Sequence, residues 1–197
     1  GEVVFATGMV GYPEALTDPS FRGQILVMTY PLIGSYGVPK KEDWESKKIQ
    51  VAGLIVSSYI DTPSHYGSER SLGDWLKDEG VPALEVRDTR ALAKKIRNKG
   101  VLLGKLEIGR KKITAKAGQV KKFENPDLRN LVSEVSTKKI FFTGAGKKTI
   151  VLIDCGAKRN IERRLVARGF KVAVVPWDTD FSLLAFSYVG VVISNGP

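Results

Sequence analysis

The stretch from Thr149 to Ile193 constrains the fold more than any other part of the sequence. Thr149–Ile153 is an apolar run of strand length. Asn160–Arg168 follows, with Ile161, Leu165 and Val166 at helical spacing and Gly169 as its stop. Lys171–Val175 reads as a second strand and Gly190–Ile193 as a third. Strand, helix and strand joined by short connections predict a parallel, right-handed α/β unit. In open sheets of this kind ligands bind outside the carboxyl ends of the strands. The loop Asn195-Gly196-Pro197, leaving the last strand, therefore falls where chemistry concentrates. Three strands make a poor sheet, so this second domain is expected to be incomplete.

Upstream the pattern differs. Residues 1–60 are rich in strands and turns and lack sustained helical periodicity, with Gly11-Tyr12-Pro13, Asp18-Pro19 and Gly34-Ser35-Tyr36-Gly37 as punctuation. Strands are predicted at Val3–Phe5, Gln24–Met28 and Gln50–Ser57. The first clear helix is Ser71–Glu79. Ser71 caps it, Asp74 reaches back in the manner of a capping box, and Gly80 ends it. A strand at Ala83–Val86, a helix at Thr89–Lys99 capped by Asp88, and a strand at Val101–Ile108 follow. Thr114–Phe123 and Asp127–Val135 read as helices. The small, charged segment Thr143-Gly144-Ala145-Gly146-Lys147-Lys148 reads as a linker. The expected organisation is α/β overall, with a mixed β/α first domain over 1–142, a linker over 143–148, and the start of a doubly wound sheet over 149–197.

Composition narrows the function classes. No run of about 18 apolar residues is present, so no transmembrane helix is predicted. Residue 1 opens directly into Glu2-Val3-Val4-Phe5, and no signal peptide is expected. A single cysteine forms no internal disulfide, which suits a reducing, cytoplasmic setting. The formal charge of +10 invites a nucleic-acid reading. The lysine doublets are scattered between Lys40 and Lys148, however, which argues against that reading; a solvated lysine-rich surface explains the spread, and so would a large acidic partner. The expectation is no nucleic acid, no membrane and no metal.

Several motifs could carry chemistry. Gly144-Ala145-Gly146-Lys147-Lys148-Thr149 superficially resembles a phosphate loop. Phe141 stands where the first glycine should be, Lys148 where a magnesium-binding hydroxyl should be, and a strand follows instead of a helix. Cys155 is the only thiol, and His65 the only histidine. A nucleophilic cysteine needs a neighbour that stabilises its thiolate. The two residues lie in different expected domains, so Cys155 reads as a small buried filler and His65 as a surface-loop residue. Asp154-Cys155-Gly156-Ala157-Lys158-Arg159-Asn160 is a strand-to-helix turn in which Asn160 can cap the helix. In Thr17-Asp18-Pro19-Ser20, Asp18 can cap and Pro19 fits the first helical position. The Ser20 hydroxyl then lies beside free backbone N–H groups, a corner that caps a turn or binds a carboxylate.

Taken together these segments resemble one family. Gly1-Glu2-Val3-Val4-Phe5 followed by Gly11-Tyr12-Pro13-Glu14-Ala15-Leu16-Thr17-Asp18-Pro19-Ser20 is similar to the amino-terminal domain of the carbamoyl-phosphate synthetase small subunit. So are Gln50-Val51-Ala52-Gly53-Leu54-Ile55-Val56 and Asp88-Thr89-Arg90 onward to Gly100. The likeness resumes at Asp154-Cys155-Gly156-Ala157-Lys158-Arg159-Asn160-Ile161 and at Ser194-Asn195-Gly196-Pro197. It covers nearly the whole chain, in order.

The resemblance implies a glutaminase subunit whose second domain is a class I glutamine amidotransferase. In that family a cysteine attacks the glutamine amide and forms a thioester. The ammonia released passes to a large subunit, which binds ATP and magnesium and makes carbamoyl phosphate for arginine and pyrimidines. A heterodimer of small and large subunits is implied, with no cofactor in the small one. Residue by residue, Gly196 matches the first glycine of Asn-Gly-Pro-Gly, whose N–H lines the glutamine and oxyanion site. Ser20 matches the serine of Thr-Asp-Pro-Ser, which contacts L-glutamine. The nucleophile of the family's Gly-x-Cys-x-Gly-His-Gln elbow, and its His and Glu partners, are expected beyond Pro197. Cys155 matches a position that is commonly aromatic in the family. The chain by itself is thus expected to be inactive. The readings from other classes are a basic nucleic-acid-binding module and a non-catalytic relative.

Overall fold

Short apolar runs, bounded by turn residues, build the first sheet. The structure is a computed structural model that describes residues 1–107, 123 and 125–197. They divide into two units, one of Gly1–Thr17 with Gly23–Arg129 and one of Asp18–Arg22 with Asn130–Pro197.

In the first unit, Val3–Ala6 (β1) leads into the helix Tyr12–Thr17 (α1). Ile25–Met28 (β2), Gly53–Val56 (β3), the helix Leu72–Asp78 (α2), Ala83–Glu85 (β4) and the helix Thr89–Lys99 (α3) follow. The strands form one parallel sheet in the order β1-β2-β3-β4, with Val3 opposite Ile25 and Leu26 opposite Leu54. Parallel strands covered on both faces are apolar throughout rather than alternating, and every residue of β2 and β3 is buried. On one face Ile25, Val27 and Ile55 meet Ile96 of α3, with Phe5, Val86 and Leu92 around them. Ser71 and Asp88 cap α2 and α3 as expected, accepting from the N–H groups of Asp74 and Ala91. Asp74 differs from a capping box in detail: its carboxylate accepts from the Ser71 hydroxyl at 2.8 Å. The helix α1 was not anticipated. Of the expected strand Val101–Ile108, the described part makes only a bridge between Leu103 and Glu2. Residue 108 and, except for Phe123, the expected helix Thr114–Phe123 lie outside the described residues.

The expected helix Asp127–Val135 is two elements. Pro126–Leu128 is a single 3-10 turn in the first unit, and Leu131–Val135 (α4) is a helix in the second. Arg129 between them is extended, and the Asn130 side chain caps α4 by accepting from Ser133 N–H. The division between units therefore falls at Arg129, ahead of the 143–148 segment where the sequence places the linker. That segment lies within the second unit, between Phe141–Thr143 (β5) and Lys148–Asp154 (β6).

After β6 come the helix Arg159–Ala167 (α5), Phe170–Pro176 (β7) and Gly190–Ile193 (β8). The sheet order is β5-β7-β6-β8; β6, β7 and β8 are parallel and β5 runs antiparallel along β7. One face buries Leu152, Val172 and Val174 against Ile161, Leu165 and Val166 of α5. The other buries Val151, Ile153 and Val175 under Leu184, Phe186 and Tyr188. Each such aliphatic contributes about 1.5–3 kcal/mol by leaving water.

Candidate functional site

The second sheet reverses its winding at β6. The chain passes from β6 through α5 to β7 on one side, then returns so that β8 lies on the other. Such a switch point opens a crevice at the carboxyl ends of the two strands, the usual ligand site of an open α/β sheet. Two loops meet there: Asp154 to Lys158 after β6, and Ser194 to Pro197 after β8.

Asp154, buried at the end of β6, organises the first loop. Its Oδ1 accepts from Gly156 N–H at 3.0 Å and Ala157 N–H at 2.8 Å, and its Oδ2 accepts from Thr137 N–H at 2.7 Å. Gly156 has φ of +114°, open mainly to glycine. The turn that this carboxylate holds starts α5 early. Lys158 takes the N-cap position and Asn160 lies inside the helix, not at its cap.

The second loop is clasped to the first. Ser194 Oγ accepts from Cys155 N–H at 2.9 Å and donates to the Asn195 carbonyl at 2.7 Å, while Ser194 N–H donates to Ile153 O at 3.1 Å. A Cβ placed on Gly196 would stand 1.9 Å from the Cys155 carbonyl oxygen. Among the described residues the Gly196 N–H has no hydrogen-bond partner. It is a free donor at the switch point.

The segment Asp18–Arg22 belongs to this unit. Asp18 is almost wholly buried, and its Oδ1 accepts from Ser20 N–H at 2.9 Å, capping the 3-10 turn Pro19–Phe21. Its Oδ2 pairs with Lys158 Nζ at 2.7 Å. Arg22 Nε pairs with Glu134 of α4 at 3.1 Å. Asn195 Nδ2 donates to Ser20 Oγ. The structure thus brings the two predicted glutamine-site residues together, with Asn195 joining Ser20 to the Gly196 peptide.

Burial, and then the charge of Asp154, push the Cys155 thiol above the usual value, and no histidine belongs to the second unit. His65 is an exposed residue of the first unit, its Nδ1 accepting from Gly67 N–H at 3.1 Å and its ring against Tyr66. Among the described residues no group of three or more His, Cys, Asp or Glu side chains is placed to hold a metal ion. No described helix is long and apolar enough to cross a membrane.

Sequence reasoning missed three participants. Asp154 carried a signal, an acidic residue at a strand end two places before glycine. Ser194, within Ser194-Asn195-Gly196-Pro197, carries no signal of its own. The Asp18–Lys158 pair has no local signal, since its partners lie far apart in the sequence.

Comparison with known proteins fits this geometry. The class I glutamine amidotransferase family model matches residues 151–197, which gives the class of the second unit. The family model for the carbamoyl-phosphate synthase small chain, CPSase domain, matches residues 1–106, more than half of the sequence, and the chain belongs to that family. It is 50% identical over 207 aligned residues to the multifunctional protein CAD of Squalus acanthias, covering all of this chain and 9% of that protein. It is 49% identical to the mitochondrial carbamoyl-phosphate synthase [ammonia] of Aquarana catesbeiana, again over all of this chain and 13% of the relative. The arginine-specific small chain of Aspergillus oryzae is 44% identical. The chain spans 45% of that small chain's length.

Proposed function

We propose that the chain is the front part of the glutamine-hydrolysing small chain of a carbamoyl-phosphate synthase, with Ser20 and Gly196 facing L-glutamine. A cysteine thiolate outside residues 1–197 adds to the side-chain amide carbon and places negative charge on its oxygen. The intermediate collapses with cleavage of the C–N bond, and ammonia leaves with a proton supplied by a histidine. Water then adds to the thioester, releasing glutamate and restoring the thiol. Gly196 N–H donates to the oxyanion, a preorganised contribution of about 3–4 kcal/mol to the barrier. The Ser20 hydroxyl holds the substrate. Ammonia moves to the large chain, where ATP, magnesium and bicarbonate yield carbamoyl phosphate for arginine or pyrimidine synthesis in the cytoplasm.

The free Gly196 N–H at the sheet's switch point carries this reading. The test is glutamate formation by the full-length chain assembled with its synthetase partner. Saturable glutamine hydrolysis is expected, and none from residues 1–197 alone. Turnover by 1–197 that is lost in C155S would overturn the assignment of Cys155. The Aquarana relative, named for ammonia, favours a second reading: an assembly that takes ammonia directly. Carbamoyl phosphate made from ammonia, with no glutamine hydrolysis, would establish that reading instead.

A further inference from the structure

The Gly196 N–H can serve an oxyanion only if its peptide plane faces the right way. In a trans peptide the carbonyl and the N–H point to opposite sides, and none of the described peptide bonds is cis. The orientation of the Asn195–Gly196 plane is therefore set by whatever holds the Asn195 carbonyl. That group is Ser194 Oγ, which donates to it at 2.7 Å. The same oxygen accepts from Cys155 N–H at 2.9 Å, so the lock is itself anchored on the neighbouring strand's loop. Its backbone is fixed as well, by donation from Ser194 N–H to Ile153 O.

We propose that Ser194 is a positioning residue for glutamine hydrolysis: its hydroxyl locks the Asn195–Gly196 peptide with the Gly196 N–H turned to the site. This rests on the glutaminase reading above and names a residue that touches no reacting atom. Cys155 contributes through its backbone N–H, whose donation fixes the Ser194 hydroxyl and leaves that hydroxyl's proton for the Asn195 carbonyl. The thiol has no part in it. Without the hydroxyl the plane is free to rotate, and a rotated plane presents a carbonyl oxygen where the oxyanion needs a donor.

The experiment compares wild type, S194A and S194T in the full-length chain assembled with its synthetase partner. Glutamine hydrolysis and ammonia-dependent carbamoyl phosphate synthesis are measured separately. Removing one oxyanion donor costs on the order of 10²–10³ in kcat, and a displaced donor costs part of that. S194A is expected to lower the glutaminase kcat about 10- to 100-fold, with KM for glutamine within about threefold of wild type. S194T, which keeps the hydroxyl, is expected to restore most of kcat. Ammonia-dependent synthesis and thermal midpoint should stay near wild type in both. S194A with wild-type kcat overturns the proposal. So does S194T as impaired as S194A, or a loss confined to KM. A wild-type assembly that uses ammonia but hydrolyses no glutamine refutes the glutaminase reading itself, a distinct outcome.

Discussion

Replacing Gly196 with alanine tests the site through a single added atom. The new Cβ would lie 1.9 Å from the Cys155 carbonyl oxygen and 2.9 Å from its carbonyl carbon. Ordinary van der Waals contact begins near 3.4 Å, so the loops must part by about 1.5 Å. Both obstacles are backbone, and the Cys155 turn is fixed by three hydrogen bonds to Asp154 and one to Ser194. The Gly196 loop therefore moves, and its N–H moves with it. A displacement of about 1 Å at a reacting centre can cost about 10²-fold. We expect G196A to lose about 10²-fold or more in glutamine kcat/KM. Overpacking of this kind destabilises by about 1–3 kcal/mol. The assay is glutamate release by the assembled enzyme, with ammonia-dependent synthesis as the control for assembly. Gly196 does not have a positive φ, so the whole penalty is steric. G196A with glutaminase activity within threefold of wild type would refute the reasoning.

Three further outcomes follow from particular contacts. S20A removes the hydroxyl that meets Asn195; loss of one hydrogen bond to substrate, about 0.5–1.5 kcal/mol, should raise KM for glutamine roughly three- to tenfold with little change in stability. K158M leaves the buried Asp18 carboxylate without its ion pair. Because Lys158 is 41% exposed the cost is discounted to about 1–2 kcal/mol, read as a lowered urea midpoint, and D18N in the same background should recover part of it. In the first unit, burial and then the neighbouring Tyr36 raise the Tyr12 phenol far above its ordinary value. A raised folded value means that its share of stability is intact below about pH 10 and is lost as pH climbs further. The urea midpoint should fall as pH rises above about 10, less steeply in Y12F; equal slopes would contradict the burial effect.

Much of the second unit was legible because its signal is local. Apolar runs at β6, β7 and β8 and the spacing of Ile161, Leu165 and Val166 need no tertiary context. The antiparallel strand β5 was hidden because Phe141–Thr143 is three residues long and its phenylalanines are exposed, so it shows no buried alternation. The helix α1 was obscured by Tyr12-Pro13 at its start and by its six-residue length, too short for periodicity to show. The unit boundary at Arg129 depends on an Asn130 cap inside what reads as one continuous helix. The Asp18–Arg22 segment reads as part of the first domain, because its sequence neighbours on both sides belong there. Its membership of the second unit rests on Lys158, Glu134 and Asn195, all more than a hundred residues away. The site residues Ser20 and Gly196 were named by resemblance. Their joining through Asn195, and the clasp made by Ser194, exist only in three dimensions.

The decisive measurement is a crystal structure of the full-length chain with glutamine held as its thioester or as a tetrahedral analogue. Gly196 N–H is predicted to lie about 2.7–3.1 Å from the oxyanion oxygen, with Ser20 Oγ within hydrogen-bond distance of the substrate. A bound glutamine that leaves both groups facing solvent, or that sits away from the carboxyl ends of β6 and β8, would contradict the assignment.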